Sequence, residues 1–198
     1  MTVPSGTSHV LSRKGGFRHI FLLNHNFERD SIRCFSITKL EREKTMPRTM
    51  PLNEIKNLVG RESGRSDWFL IDQDRVDRFA DCTEDRQWIH VDREKAENGP
   101  FGGTIAHGFL TLSLIPYFDR EYGVVPEGAS MTVNYGLNKV RLLNPVPVGA
   151  RIRDVMTITE VAEKGGGRVL ITTTHTIGIE GQEKPACVAE ALMMYMLE

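Results

Sequence analysis

Cysteine is scarce. Cys34, Cys82 and Cys187 are the only three in 198 residues, and no two of them form a CxxC pair. That excludes a thiolate metal site or a dithiol redox motif, and scattered thiols fit a reducing compartment. There is no run of 18 apolar residues, so a membrane-spanning helix is not expected. The net charge is only -1, so nothing in the balance draws the chain to nucleic acid or to an anionic membrane surface. The glycine spacings of a Rossmann or P-loop nucleotide site are missing, as is any repeat of fixed period. What remains is a chain 40% apolar and 26% charged, an ordinary globular composition at a length that buries one core. The expected location is cytoplasmic.

Charge is unevenly spread. Residues 1–50 carry nine Lys/Arg against four Asp/Glu, and the remainder carries sixteen against twenty-two. The first segment has no sustained periodicity. Phe21, Leu22 and Leu23 are too short a run for a secretory signal, and Glu28, Asp30, Glu41 and Glu43 count against a mitochondrial presequence. Residues 1–50 therefore read as a disordered N-terminal extension, or as translated upstream sequence with initiation near Met46 or Met50. Residues 51–198 read as the folded domain.

Within that domain, Leu52 to Val59 reads as a short helix and Trp68 to Ile71 as a strand. Asp72 can cap a helix whose apolar residues Val76, Phe79 and Ala80 fall at i, i+3 and i+4. The stretch TEDRQWIHVD, Thr83 to Asp92, reads as a loop, and Arg93 to Asn98 as one further turn before Gly99 and Pro100. Gly108 to Tyr122 is apolar almost all round, which predicts one buried helix stopped by Gly123. From Ser130 onward the pattern is β. Met131, Val133 and Tyr135 alternate with polar neighbours, Ile152 to Val161 forms a second run, and Val169, Ile171, Ile177 and Ile179 share one parity of a third. Ala186 to Leu197 is a last strand. Strands joined by glycine turns without helices between them argue an antiparallel sheet. One buried helix and a run of long strands make an α+β chain with the shape of a hot-dog fold, a sheet wrapped around a central helix. The open edge of such a sheet calls for a partner, so a homodimer is expected.

Two constellations carry chemistry. Asp85 and His90 can jointly hold one water, one accepting its hydrogen bond while the other takes or returns a proton. Ile105-Ala106-His107-Gly108 follows after a loop in which Gly102 and Gly103 allow close approach to a ligand. A backbone N–H at the entrance of the helix can meet an oxyanion developing on a carbonyl. For His107 the plainer reading is a structural histidine bonded to loop carbonyls. A water-activating pair and an oxyanion site suit addition of water beside a carbonyl.

The segment from Phe79 to Leu114 resembles the MaoC-like (R)-specific enoyl-CoA hydratase family. Asp85, His90 and Asp92 match the family's spacing of an aspartate, four residues, a histidine and an acid two further on. Phe101-Gly102, Ile105, Ala106-His107-Gly108 and Ser113 match the loop and helix start that follow. The wording of residues 87–92, of 99–108 and of 134–141 is similar to the nodulation-protein-N-like branch. The resemblance covers roughly residues 52–198 and implies hydration of trans-2-enoyl thioesters to (R)-3-hydroxyacyl thioesters. It implies Asp85, His90 and Gly108 as catalytic residues, with Ser113, Gly103, Ile105 and His107 binding substrate. It implies no metal and no cofactor, coenzyme A entering only as part of an acyl-CoA thioester substrate. Lys139 and Arg141 are candidates for its phosphates, beside the plainer reading of a solvated strand edge. The alternatives are an acyl-CoA thioesterase on the same fold and a non-catalytic acyl-thioester binding protein. One departure stands out: Glu84 occupies the position before the aspartate where the family usually has glycine, a residue free to adopt angles that Glu resists.

Overall fold

A computed structural model describes residues 48–198 of the chain. The extension expected over residues 1–50 lies outside that range except for its last three residues. These form strand β1 (Arg48–Met50), which pairs in parallel with β4 (Val124–Pro126). Helix α1 (Leu52–Lys56) is shorter than its sequence pattern suggests, and strands β2 (Glu62–Arg65) and β3 (Phe69–Leu70) follow. Helix α2 (Gln73–Thr83) starts where Asp72 accepts the Arg75 N–H at 2.9 Å, the expected N-cap.

The main sheet is antiparallel, in the order β2-β6-β7-β8-β5, with β3 also on β6. Its long members are β5 (Ala129–Leu142), β6 (Arg151–Gly165), β7 (Arg168–Ile179) and β8 (Cys187–Leu197). The β6–β7 hairpin closes through Gly166 and Gly167, at φ +60° and +70°. Two successive positive φ values are what a tight hairpin turn requires, and only glycine meets them freely. Val169, Ile171, Ile177 and Ile179 are all buried, as their shared parity predicts. Residues 173 and 175 of the same row are Thr173 and His175, also buried.

The single helix expected over Gly108–Tyr122 is two helices, α5 (Gly108–Ser113) and α6 (Ile115–Tyr122), meeting at Leu114. Pro116 accounts for the break. It has no N–H to offer the carbonyl of Leu112, and its ring crowds that carbonyl. The pair is also not buried all round. Leu110, Leu114, Ile115 and Phe118 pack on Ile152, Ile177, Ala189 and Ala191 of the sheet, whereas Phe109 is 69% exposed.

The stretch expected to be a loop, Thr83 to Asp92, contains one more helix, α3 (Trp88–Val91), before α4 (Arg93–Glu97). One turn of helix is too short to show a 3.6-residue pattern, which hides it in the sequence. Strand β5 differs too. Met131, Val133 and Tyr135 alternate as expected, but none is buried, and Tyr135 is 63% exposed. β5 is an edge strand, and no element among the described residues covers that face. No helix among the described residues is long and apolar enough to cross a membrane.

Candidate active site

Helix α2 ends at Thr83, and the chain turns sharply at Glu84, which has φ 60° and ψ 11° in the left-handed region. This turn swings Asp85 back beside α3. It is also a conformation glycine adopts at little cost, so Glu84 sits where a side chain is strained. The Glu84 carboxylate is held by Arg86, which also reaches Asp81 at 3.3 Å.

The turn and α3 bring Asp85 and His90 together, and His107 at the head of α5 joins them. One ligating atom from each lies within 4.8 Å of the others. Asp85 is exposed, while His90 and His107 are buried. The two imidazoles stack, with centroids 3.7 Å apart, and Phe79 flanks His107 at 5.0 Å.

Hydrogen bonds fix what each ring can do. His90 Nδ1 lies 2.7 Å from the Ile105 carbonyl oxygen. A carbonyl only accepts, so Nδ1 carries the hydrogen and Nε2 keeps its lone pair. His107 Nε2 lies 2.9 Å from the backbone oxygen of Asp85 and donates to it by the same reasoning. His107 thereby has the geometry of the structural reading: it is a strut for the Asp85 loop. Burial pushes the His90 pKa below its ordinary value, and the neighbouring His107 pushes the same way. The Ile105 carbonyl and Asp85 oppose them. The balance favours a neutral imidazole, the form that takes a proton from water.

His90 and Gly108 open onto one cavity of about 250 Å³, walled also by Ala106, Thr111, Leu142 and Val146. Gly108 is in the first turn of α5, whose N–H groups have no intrahelical partner. A β-carbon at position 108 would come 2.4 Å from Leu142 Cδ1, so any larger residue there would have to push the Leu142 side chain aside. A second, larger groove of about 440 Å³ runs between α5–α6 and β5, lined by Phe79, Phe109, Leu112, Ser113 and Tyr135 among others. Ser113 is in this groove rather than beside His90, and its hydroxyl donates to the Leu110 carbonyl at 2.8 Å. Gly103 stands in the loop with open space where a β-carbon would be. Ile105 is buried and contributes its carbonyl, so its part in the site is to orient His90. Lys139 is exposed and paired with Glu190 at 3.0 Å, and Arg141 is exposed as well.

The spacing of Asp85, His90 and His107 approaches that of a metal's donor set. One nitrogen of each ring is already committed to a carbonyl, which leaves each imidazole a single nitrogen to offer. The arrangement suits a water between Asp85 and His90 better than an ion.

Sequence reasoning missed Gln73 and Thr104. The Gln73 amide donates to the backbone oxygen of His90 at 2.8 Å, and its own oxygen accepts from the Thr104 hydroxyl at 2.6 Å. These contacts join residues 17 and 31 positions apart, beyond any local spacing signal.

Comparison with known proteins places the chain in a family. Residues 54–179 match the family described as MaoC like domain. The chain is 50% identical over 138 residues to 3-hydroxyacyl-thioester dehydratase Z of Mycobacterium tuberculosis, covering 70% of this chain and 91% of that protein. It is 40% identical over 141 residues to Nodulation protein N of Rhizobium leguminosarum bv. viciae, covering 71% and 88%. Among solved structures it is similar to the unliganded R-hydratase PhaJ1 of Pseudomonas aeruginosa, with TM-score 0.55, 25% identity and coverage of 69% and 83%. The fold is the hot-dog fold of those hydratases. With its Asp85–His90 pair set beside the entrance of the helix the sheet wraps, the chain belongs to the MaoC-like dehydratase family, as a hydro-lyase.

Proposed function

We propose that the chain interconverts trans-2-enoyl thioesters and (R)-3-hydroxyacyl thioesters, with acyl-CoA as the thioester. One observation carries the reading. A neutral imidazole with a free Nε2 and the Gly108 entrance of α5 border one small volume, and a carboxylate oxygen of Asp85 lies within 4.8 Å of a ring nitrogen of that imidazole. In the hydration direction Asp85 and His90 hold a water. His90 Nε2 takes a proton as the water oxygen bonds to Cβ. The electron pair of the double bond moves through Cα to the thioester oxygen, where the Gly108 N–H stabilises the enolate. Collapse of the enolate takes a proton at Cα from the His90 imidazolium, and the balance closes with one water added. Dehydration runs the same steps in reverse. The (R) configuration, and coenzyme A as the carrier, rest on the family likeness.

The groove beside Ser113 is the place for the acyl chain, because its walls are mainly apolar and it flanks Phe79, which touches His107. A second copy of the chain completes the assembly, seated on the exposed hydrophobic face of β5. The experiment is hydration of crotonyl-CoA, followed by loss of the enoyl-thioester ultraviolet absorbance. Asp85→Asn should lower kcat by roughly 10²- to 10⁴-fold while its thermal midpoint stays close to that of the parent. Lack of hydration by the unaltered protein across short and medium chains, with release of free thiol instead, would overturn the reading in favour of a thioesterase.

A further inference from the structure

We infer that Gln73 is a positioning residue for His90, holding the imidazole in the tautomer that leaves Nε2 free. The inference rests on the functional reading above for its consequence, and on geometry alone for its structural part. Helix α3, which carries His90, has four residues and no side-chain cap. A helix of one turn does not hold itself, so its orientation must come from elsewhere. Three ties supply it. The Ile105 N–H donates to the Ile89 carbonyl at 3.0 Å, and His90 Nδ1 donates to the Ile105 carbonyl at 2.7 Å. Gln73 makes the third, donating from its amide to the His90 carbonyl at 2.8 Å and accepting from Thr104 Oγ1 at 2.6 Å.

Gln73 therefore grips both sides of the Nδ1–H···O bond: the backbone of His90 on one side, and on the other the residue before Ile105. Its own place is secure. It is the first residue of α2, and its amide nitrogen also donates to Asp77 Oδ1 at 2.7 Å, one turn along the helix. The Thr104 backbone is fixed in turn, since its carbonyl accepts the Val148 N–H at 2.9 Å. Glutamine is the suitable side chain, because it offers a donor and an acceptor in one plane without a charge. A glutamate would turn an oxygen toward the His90 carbonyl and repel it. An alanine would leave that carbonyl and the Thr104 hydroxyl unpaired, and α3 free to shift. Small displacements of a catalytic group are costly, on the order of 100-fold for about 1 Å.

The test uses full-length protein carrying 15N-labelled histidine, with Gln73→Ala, Gln73→Glu, Thr104→Val and Thr104→Ser. NMR of the His90 ring nitrogens reads the tautomer without any substrate. The unaltered protein should show a protonated Nδ1 and a bare Nε2. Gln73→Ala and Gln73→Glu should show a mixture, and Thr104→Ser should keep the parent pattern. Kinetics on crotonyl-CoA should show kcat reduced by roughly 10- to 100-fold in Gln73→Ala, with KM changed less than about threefold. The acid limb of its pH profile should move to lower pH, because the Ile105 bond that supports the His90 proton is weakened. An unchanged His90 spectrum in Gln73→Ala, or a lower thermal midpoint with kcat and the pH profile intact, would overturn the inference. If the unaltered protein hydrates no enoyl thioester, the functional reading falls while the NMR pattern still decides the role of Gln73.

Discussion

At the scale of the residue, Glu84 and His90 each pose a question that a measurement answers. Glu84 stands at φ 60° where the helix must reverse. A left-handed conformation costs a residue with a β-carbon about 1–2 kcal/mol, and glycine returns about 0.5–1 kcal/mol of that through its freer unfolded chain. The Glu84–Arg86 contact is exposed and so contributes little. Glu84→Gly should therefore raise stability by up to about 1 kcal/mol, or about 2–4 °C in thermal midpoint, without lowering kcat. A fall in midpoint would mean that Arg86 and Glu84 matter more than the backbone does. His90 gives a prediction about pH. Its pKa is held below 6.5, chiefly by burial, and hydration needs the neutral ring. The kcat/KM profile should be flat through pH 7 and bend downward only below 6.5. A bend above that value would show that the imidazole is not the group whose protonation stops the reaction.

At the scale of the element, the contact between α6 and the sheet holds charge where hydrophobic packing would be expected. His175 on β7 lies 2.6 Å from Asp154 Oδ2 on β6 through Nδ1, and 3.5 Å from Asp119 Oδ2 on α6 through Nε2. His175 and Asp154 are wholly buried, and Tyr195 and Cys187 are the other titratable groups facing the cluster. Burial raises Asp119 from 3.8 to about 6, and the two aspartates hold the His175 pKa up against the pull of its own burial. Both shifts act in one direction. A raised pKa means that the folded state binds the proton more tightly than the unfolded chain, so stability from this cluster is present at low pH. It is lost as pH rises, between about 4 and 6 for Asp119 and above 6.5 for His175. The Asp119 rise corresponds to at most about 3 kcal/mol. The thermal midpoint should fall between pH 5 and pH 8, and Asp119→Asn should flatten that fall. Parallel curves for the two proteins would show the cluster to be silent. This cluster was not legible in the sequence. Residue 175 continues the buried row of 169, 171, 177 and 179, but a polar letter in such a row gives no sign of a partner 21 residues back. The break at Pro116, by contrast, stood in plain view as a proline inside an apolar helical pattern.

At the scale of the whole molecule, the order of elements was legible because each long segment has one dominant period. The all-apolar helix and the glycine-punctuated strands predicted a hot-dog sheet. Asp85, His90 and Gly108 were legible as a spacing, while Gln73 and Thr104 were not, because only the folded chain makes them neighbours. Strand β5 was legible as an alternating strand, and the folded protomer leaves its hydrophobic residues open. Met131, Val133, Tyr135 and Leu137 are each more than 40% exposed on a 14-residue strand, Met131 and Val133 on one side and Leu137 on the other beyond the bulge at Tyr135. A long hydrophobic edge strand invites pairing with another chain. Two-fold pairing closes the assembly at two copies, the commonest symmetry among soluble oligomers. That is the physical basis of the proposed homodimer. Residues Asn134–Leu137 of the same strand also wall the groove beside Ser113, so dimer and groove share a strand. Met131→Lys combined with Val133→Lys should place two like charges against their copies and convert the protein from a dimer to a monomer by light scattering after size exclusion. If the second copy shapes the groove, loss of activity should be steeper for octenoyl-CoA than for crotonyl-CoA, because only the longer chain reaches that wall. A monomeric parent protein would remove the dimer and, with it, this explanation of why β5 carries apolar side chains in the open.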